Sequence, residues 1–347
     1  MSYPSHPLLT PLLALPAALY GAVMRLRNRR FDRPGVARKA ALPVISVGNL
    51  TVGGTGKTPT VAWLARRLLA EGRRPAVVSR GYGGRAGRGP LTVAAGDGPQ
   101  VAPELCGDEP WWLARQVSGL RVVVGSDRIA GAAAARRLDA DVVLLDDGFQ
   151  HRRLARDLDI VLLDAAVPFG NGRLLPAGPL RESPTALGRA DLLLATRVEP
   201  GADVAGLAAL ATRYAPGVPL LLARHRPLAF VDLDGTAVTL PPRVAAFCGI
   251  ARPESFRRSL VEAGVELARF FAFPDHHAYS ASQLDTLVGA AREAGVPLVT
   301  TEKDLARIGR RAGDRILALA VELEIADDAP LLAAVANALR AGTEGRR

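Results

Sequence analysis

Gly53, Gly54, Gly56, Lys57 and Thr58 lie within PVISVGNLTVGGTGKTP, residues 43–59, and residues of these types in this order can hold the phosphates of a nucleoside triphosphate. Glycine lets successive backbone N–H groups turn toward one anion and tolerates positive φ. A lysine in the position of Lys57 reaches the β- and γ-phosphates, and a hydroxyl in that of Thr58 ligates Mg2+. The nucleotide-binding set is Thr51, Gly53, Gly54, Thr55, Gly56, Lys57 and Thr58. The pattern G-x-x-x-x-G-K-[ST] wants glycine where Thr51 stands, so the loop is a variant; the bland alternative is a glycine-rich turn with a solvated lysine.

Three further groups could do chemistry. Val142–Leu145 runs straight into Asp146-Asp147-Gly148, and an apolar strand ending in aspartate presents a carboxylate for Mg2+ at the edge of a parallel sheet; an ordinary Asp-Asp-Gly turn is the alternative. Gly107-Asp108-Glu109-Pro110 precedes a helix beginning at Trp111-Trp112, so Asp108 is either a helix cap or a carboxylate available for proton transfer. Phe273-Pro274-Asp275-His276-His277 carries adjacent histidines that point to opposite sides of an extended chain, which makes them poor co-ligands of one metal. A kinase acting on a hydroxyl needs a base, and Asp108 and His276 are the candidates if two domains close over one cleft.

Positioning these groups requires strands that end where the loops begin. Short apolar runs at Val44–Val47, Pro75–Ser79, Arg121–Val124, Val142–Leu145, Ile160–Asp164, Asp191–Ala195 and Pro219–Ala223 alternate with helical stretches, and that alternation predicts a doubly wound parallel sheet of the α/β class. Leu91–Val101 reads as a hairpin or excursion. Phe169–Glu182, FGNGRLLPAGPLRE, is a long Gly- and Pro-rich loop, and loops of that size on a parallel sheet are functional or disordered. The expected organisation is a basic N-terminal segment over 1–39, a P-loop core over 40–223, a hairpin-like linker over 224–242 and a smaller α/β domain over 243–347. Within the last, helices are expected at Pro253–Ala263 and Ser280–Ala294 and a strand at Pro297–Thr301. Thr301-Glu302-Lys303-Asp304 lacks the asparagine and spacing of a guanine reader, so GTP specificity is not assigned.

The two cysteines, Cys106 and Cys248, are far apart, which argues against a zinc site or a disulfide framework. Of the net charge of +10, six units fall in residues 1–39, where seven basic residues face Asp32 alone. No aromatic-interleaved basic patch occurs, so nucleic acid is not expected as a partner. Leu8, Leu12, Leu15, Leu19, Val23 and Leu26 recur at helical spacing before the basic run. Pro7, Pro11 and Pro16 interrupt the segment, and its charges follow rather than precede the apolar part. A helix lying on an anionic membrane surface is the preferred reading, beside a spanning anchor or an amphipathic helix packed on the core.

VGNLTVGGTGKTP, SRGYGG, GDEP, SDR, DDGFQHRRL, GRLLPAGPLRE, FPDHH and TEKD follow one another from Val44 to Asp304. Together they resemble the tetraacyldisaccharide 4'-kinase (lipid A 4'-kinase) family of Gram-negative bacteria. The resemblance implies a P-loop kinase with a second, smaller α/β domain and an N-terminal amphipathic helix. It implies transfer of the γ-phosphoryl group of ATP, with Mg2+, to the 4'-hydroxyl of an acylated glucosamine disaccharide 1-phosphate at the cytoplasmic face of the inner membrane. It likewise implies that Asp108 is the general base and His276 its partner, that Asp146 and Asp147 organise Mg2+, and that Arg128, Arg181 and Glu182 line the cleft, with Glu182 placed among the metal-site residues beside Thr58. Gln150, His151 and His277 receive no role, and a monomer is expected. The competing reading is a membrane-surface regulatory ATPase of the partitioning type, against which the absence of an early second lysine over residues 51–55 counts.

Overall fold

The computed structural model describes residues 9–344 other than Ala86, Arg88, Leu240, Pro241, Ala251 and His276. Leu8, Pro7 and His276, all singled out above, therefore lie outside the described residues. The chain divides into a larger unit, residues 2–224 with 325–347, and a smaller one, 225–324.

The larger unit opens with helix α1 (Leu9–Phe31), followed by β1 (Val44–Asn49), α2 (Lys57–Ala70), β2 (Pro75–Ser79), β3 (Leu91–Ala95), α3 (Pro103–Cys106), α4 (Asp108–Gln116), β4 (Arg121–Val124), α5 (Arg128–Arg137), β5 (Val142–Asp146), β6 (Leu158–Asp164), β7 (Leu192–Thr196), α6 (Val204–Tyr214) and β8 (Leu220–Val231). Within this unit the strand order is β8-β7-β6-β1-β5-β2-β4-β3. Every pairing is parallel except that of the edge strand β3 with β4. β1 sits between β5 and β6, with Val47 beside Asp146 and Asn49 beside Leu162. The chain steps outward from β1 through β2 and β4, returns to insert β5, then crosses to β6, so the loops after β1 and β5 open at the switch point where α/β sheets bind ligands.

These strands are Val- and Leu-rich runs because helices cover both faces. The alanines of α5 (Ala132, Ala134, Ala135) pack on Val44, Val78, Val123, Val143 and Leu145, and α2 packs against β1, β2 and β5. Each fully buried leucine or valine contributes about 1.5–3 kcal/mol, which is why the pattern, more than helix propensity, decides the fold.

The smaller unit contains β9 (Ala237–Val238), β10 (Arg243–Cys248), α7 (Pro253–Glu262), β11 (Glu266–Ala272), α8 (Ala281–Glu293), β12 (Leu298–Thr301), α9 (Glu302–Ile308) and β13 (Ile316–Ile325). Its sheet runs β11-β10-β12-β13, parallel throughout. The two-residue alternation of β10 is legible in its burial: Val244, Ala246 and Cys248 meet Phe256 and Leu260 of α7, while Ala245 and Phe247 meet Leu284, Leu287 and Val288 of α8.

Three boundaries differ from expectation. β8 runs unbroken to Val231, and its last two residues form one arm of the hairpin, with Asp232 capping the Asp234-Gly235 turn and Phe230 opposite Val238. Of Leu91–Val101, expected as a hairpin or excursion, only Leu91–Ala95 is strand, at the edge of the sheet. The last helix, α10 (Ala329–Glu344), is part of the larger unit and packs against β1 and β6, not part of the smaller domain. Its apolar periodicity specified a helix and not the sheet it covers.

Candidate active site

β1 delivers the chain into the glycine-rich loop, and α2 starts at Lys57 with Gly56 as its N-cap at φ 83. That left-handed angle is one an L side chain adopts poorly, which accounts for glycine at position 56. Asn49, the last residue of β1, braces the loop. Its amide nitrogen donates to Thr55 Oγ1 at 2.8 Å and to Thr51 Oγ1 at 3.5 Å, and its Oδ1 accepts from Lys57 Nζ at 3.3 Å. The Thr196 hydroxyl donates to the carbonyl of Thr55 at 2.8 Å. Thr58 is buried in the first turn of α2, while Gly53 and Gly54 are exposed.

The acidic pair arrives from β5. Asp147 takes φ 54, an uncommon angle for a residue other than glycine. Its carboxylate lies 3.5 Å from Lys57 Nζ and 2.7 Å from Arg181 Nη1. Burial alone would raise the Asp147 carboxyl, but Lys57 and Arg181 outweigh it and hold the group below the usual carboxylate range. Asp146 is treated oppositely: burial, with the charge of Glu109 next, pushes it up to about 7. Its Oδ2 accepts a 3.4 Å bond from Ser79, and its Oδ1 is buried with no hydrogen-bond partner. Arg128, also buried, donates to the Gly125 carbonyl at 2.5 Å, yet its Nε has no partner. Burial lowers the Arg128 guanidinium, and Asp146 and Asp147 oppose that shift.

These features test whether Mg2+ fits. A divalent cation of this kind takes one or two carboxylates, a hydroxyl and substrate phosphate oxygens rather than an all-protein cage. Among the described residues no group of three or more His, Cys, Asp or Glu could hold a metal unaided. A buried aspartate oxygen without a partner, beside a second carboxylate and opposite the loop lysine, is the donor set such a site requires. Asp146 and Asp147 with Thr58 therefore fit the ion. Glu182, expected with them, does not join them: its oxygens accept from Arg189 at 3.0 and 3.2 Å and from Asn28 at 2.5 Å. Arg181 is thus paired with Asp147, while the neighbouring Glu182 is held by Arg189 and Asn28.

The loop of residues 169–182 is ordered by the phosphate loop. Val52 N donates to the Pro179 carbonyl at 2.8 Å and Arg181 N to the Leu50 carbonyl at 2.7 Å, with Thr51 bridged antiparallel to Leu180. Asp108 is the first residue of α4, whose N-cap is Gly107, and no side chain caps that helix. The cap reading of Asp108 is therefore not what the structure shows. In the smaller unit His277 stacks on Phe273 at 4.8 Å between ring centres, Tyr279 Oη donates to Asp304 at 3.2 Å, and Asp304 also accepts from Gly249 N and Thr301. TEKD thus serves as an internal brace, with Asp304 fully buried.

Sequence reasoning missed Asn49, whose bonds to Lys57 and Thr55 are visible only once the loop is folded, and Arg197, which pairs with Asp164 at 2.6 Å beside Gly54. Gln150 acquires a place: its amide nitrogen donates to the Asn49 carbonyl at 2.9 Å, and its Oε1 accepts from Arg181 at 3.4 Å. His151 is half-buried, and burial, reinforced by Arg128 and Arg153, pushes it down to about 4. The folded chain therefore resists a proton that the unfolded chain accepts below 6.5, so stability should fall as pH drops from 6.5 towards 4. His151→Gln is expected to flatten that acid limb in denaturant titrations, and an unaltered limb would place the cause elsewhere.

A family model described as tetraacyldisaccharide-1-P 4'-kinase matches residues 8–340. The tetraacyldisaccharide 4'-kinase of Pelobacter propionicus is 45% identical, over 98% of this chain and 95% of its own length. That of Geobacter metallireducens is 44% identical over 96% of this chain and 99% of its own. The crystal structure of LpxK from Aquifex aeolicus in complex with ATP superposes with a TM-score of 0.77 at 32% identity, covering 95% of this chain and 99% of that one. The phosphate loop, acidic pair and bracing loop thus sit in a chain that belongs to the tetraacyldisaccharide-1-P 4'-kinase family.

Proposed function

We propose that this protein transfers the γ-phosphoryl group of ATP to the 4'-hydroxyl of an acylated glucosamine disaccharide 1-phosphate. The observation that carries the reading is the set of Lys57 held between Asn49 and Asp147 beside the unpartnered oxygen of Asp146. The loop amides of residues 53–58 and Lys57 bind the phosphates, and Thr58, Asp146 and Asp147 would hold Mg2+. When bound, the ion would neutralise charge on the phosphates of ATP. Arg128 and Arg181 add fixed positive charge. Asp108 takes the proton of the attacking hydroxyl, with His276 as the residue that tunes it. The partitioning-type ATPase has no support in relatives that are named kinases over nearly the whole chain.

The acylated acceptor places the reaction at a lipid surface, at the cytoplasmic face of the inner membrane, with the protein acting as a monomer. Among the described residues no helix is long and apolar enough to cross a membrane. α1 instead turns Leu12, Leu15, Leu19, Val23 and Leu26 outward, each 60–76% exposed, along one narrow stripe that runs into its arginines. A leucine passing from water into lipid contributes about 1.5–3 kcal/mol, and each nearby basic residue about 1 kcal/mol at an anionic surface. Leu15→Glu with Leu19→Glu should therefore release the protein from anionic vesicles in sedimentation, and unchanged sedimentation would overturn the surface assignment.

The reaction itself is tested with ATP labelled in the γ-phosphoryl group, offered the acylated disaccharide 1-phosphate or its non-acylated counterpart. Label is expected in the lipid product only. Phosphate release without acceptor, or equal labelling of both sugars, would overturn the reading.

A further inference from the structure

The inward face of α1 is polar where a surface anchor has no need to be. Ala17 and Gly21 are buried there, and a Cβ on Gly21 would stand 2.7 Å from Leu174, so the missing side chain lets the helix sit directly on the loop of residues 169–182. Tyr20 Oη donates to the carbonyl of Arg181 at 2.9 Å. Asn28 Nδ2 donates to Glu182 at 2.5 Å. Arg27 Nη2 donates to the carbonyl of Gln150 at 2.6 Å. Arg152 donates back to the Asn28 carbonyl at 3.0 Å and pairs with Asp32 at 2.8 Å.

These bonds converge on one pair. Arg181 holds Asp147 at 2.7 Å, so Tyr20 grips the backbone of the arginine and Asn28 the side chain that follows it, while Arg27 secures Gln150, which also accepts from Arg181. Glu182 is tied from its other side to Arg189, whose guanidinium lies over the ring of Phe149 at 4.5 Å. Membrane attachment accounts for the outward leucines and for none of these contacts. We infer that Tyr20 and Asn28 are positioning residues for phosphoryl transfer, acting through Arg181 and Glu182 to fix the guanidinium against Asp147. The helix that meets the lipid is in this respect part of the active-site scaffold. Burial, with the Glu182 charge next, raises the Tyr20 phenol.

The inference rests on the kinase reading and can fail apart from it. In the double variant Tyr20→Phe with Asn28→Ala, kcat is expected to fall roughly 10- to 100-fold, since small displacements of a charge-stabilising group have effects of that order. The KM for ATP, the thermal midpoint and sedimentation with anionic vesicles should stay at wild-type values. Amide hydrogen exchange should rise selectively in the peptide of residues 173–189. Tyr20→Phe alone, which deletes a single oxygen atom, should give the same selective rise in smaller measure and serves if the double variant does not fold. Wild-type kcat, unchanged exchange in that peptide, or a rate loss that merely tracks release from vesicles would each overturn the inference. A wild-type protein unable to phosphorylate the lipid acceptor would undo the kinase reading instead, and the exchange result would still decide whether the clamp exists.

Discussion

Replacing Asp108 with alanine is expected to slow phosphoryl transfer by roughly 10²-fold or more while nucleotide binding persists, the range set by loss of a general base. The structure sets aside one competing explanation for such a loss, that Asp108 caps α4. Had Asp108 capped α4, the substitution would weaken the helix by about 1 kcal/mol and lower the rate through instability. Gly107 occupies the cap, and no side chain fills that role. Asp108 thus opens the helix as its first residue, half-buried, at the end of the turn that carries it. Single-turnover transfer, with nucleotide affinity and thermal midpoint measured alongside, separates the two effects. His276→Ala should fall in the same class, and normal rates in both variants would sink the proposed pair.

Asp146→Asn should move activity and stability in opposite directions. The side chain is almost wholly buried, one oxygen has no partner, and Glu109 and Asp147 add like charge. Without a cation the ionised group is a liability, so a neutral isostere should stabilise the metal- and nucleotide-free protein by about 1–3 kcal/mol at neutral pH. In the proposed site Asp146 and Asp147 together hold Mg2+, and with Mg2+ and ATP present turnover should fall roughly 10³-fold, about 4 kcal/mol in transition-state terms. Calorimetric melting in chelator and a transfer assay decide both halves. A lower melting temperature would mean that Asp146 makes a structural contribution outweighing its uncompensated charge.

How far the sequence foretold this varies by residue. Lys57, Asp146 and Asp147 were legible because their chemistry depends on a strand ending in a loop, and both patterns are local. Arg181 was placed in the cleft by resemblance, and in the folded chain it pairs with Asp147 at 2.7 Å. Glu182, one position on, is tied instead to Arg189 and Asn28, partners that only the fold brings near. Asn49, Tyr20 and Asn28 carried no local signal, since each acts through a partner that only the fold brings near. The continuation of β8 was hidden by Arg224-His225-Arg226, a charged stretch that reads as the end of a strand. What pairs a strand is its neighbour, and neighbour choice is a long-range property.

The return of α10 alters how the chain can be divided. Ala326 N donates to the Leu222 carbonyl at 3.0 Å, so the chain leaves the larger unit and re-enters it at points one hydrogen bond apart. Residues 225–324 are in that sense an insertion between two stretches of chain that belong to the same P-loop unit. Insertions with adjacent ends can be gained, lost or exchanged through a short turn without rethreading the host. The nucleotide-binding unit is assembled from chain on both sides of residues 225–324, and its last helix can dock only after that whole segment has been made.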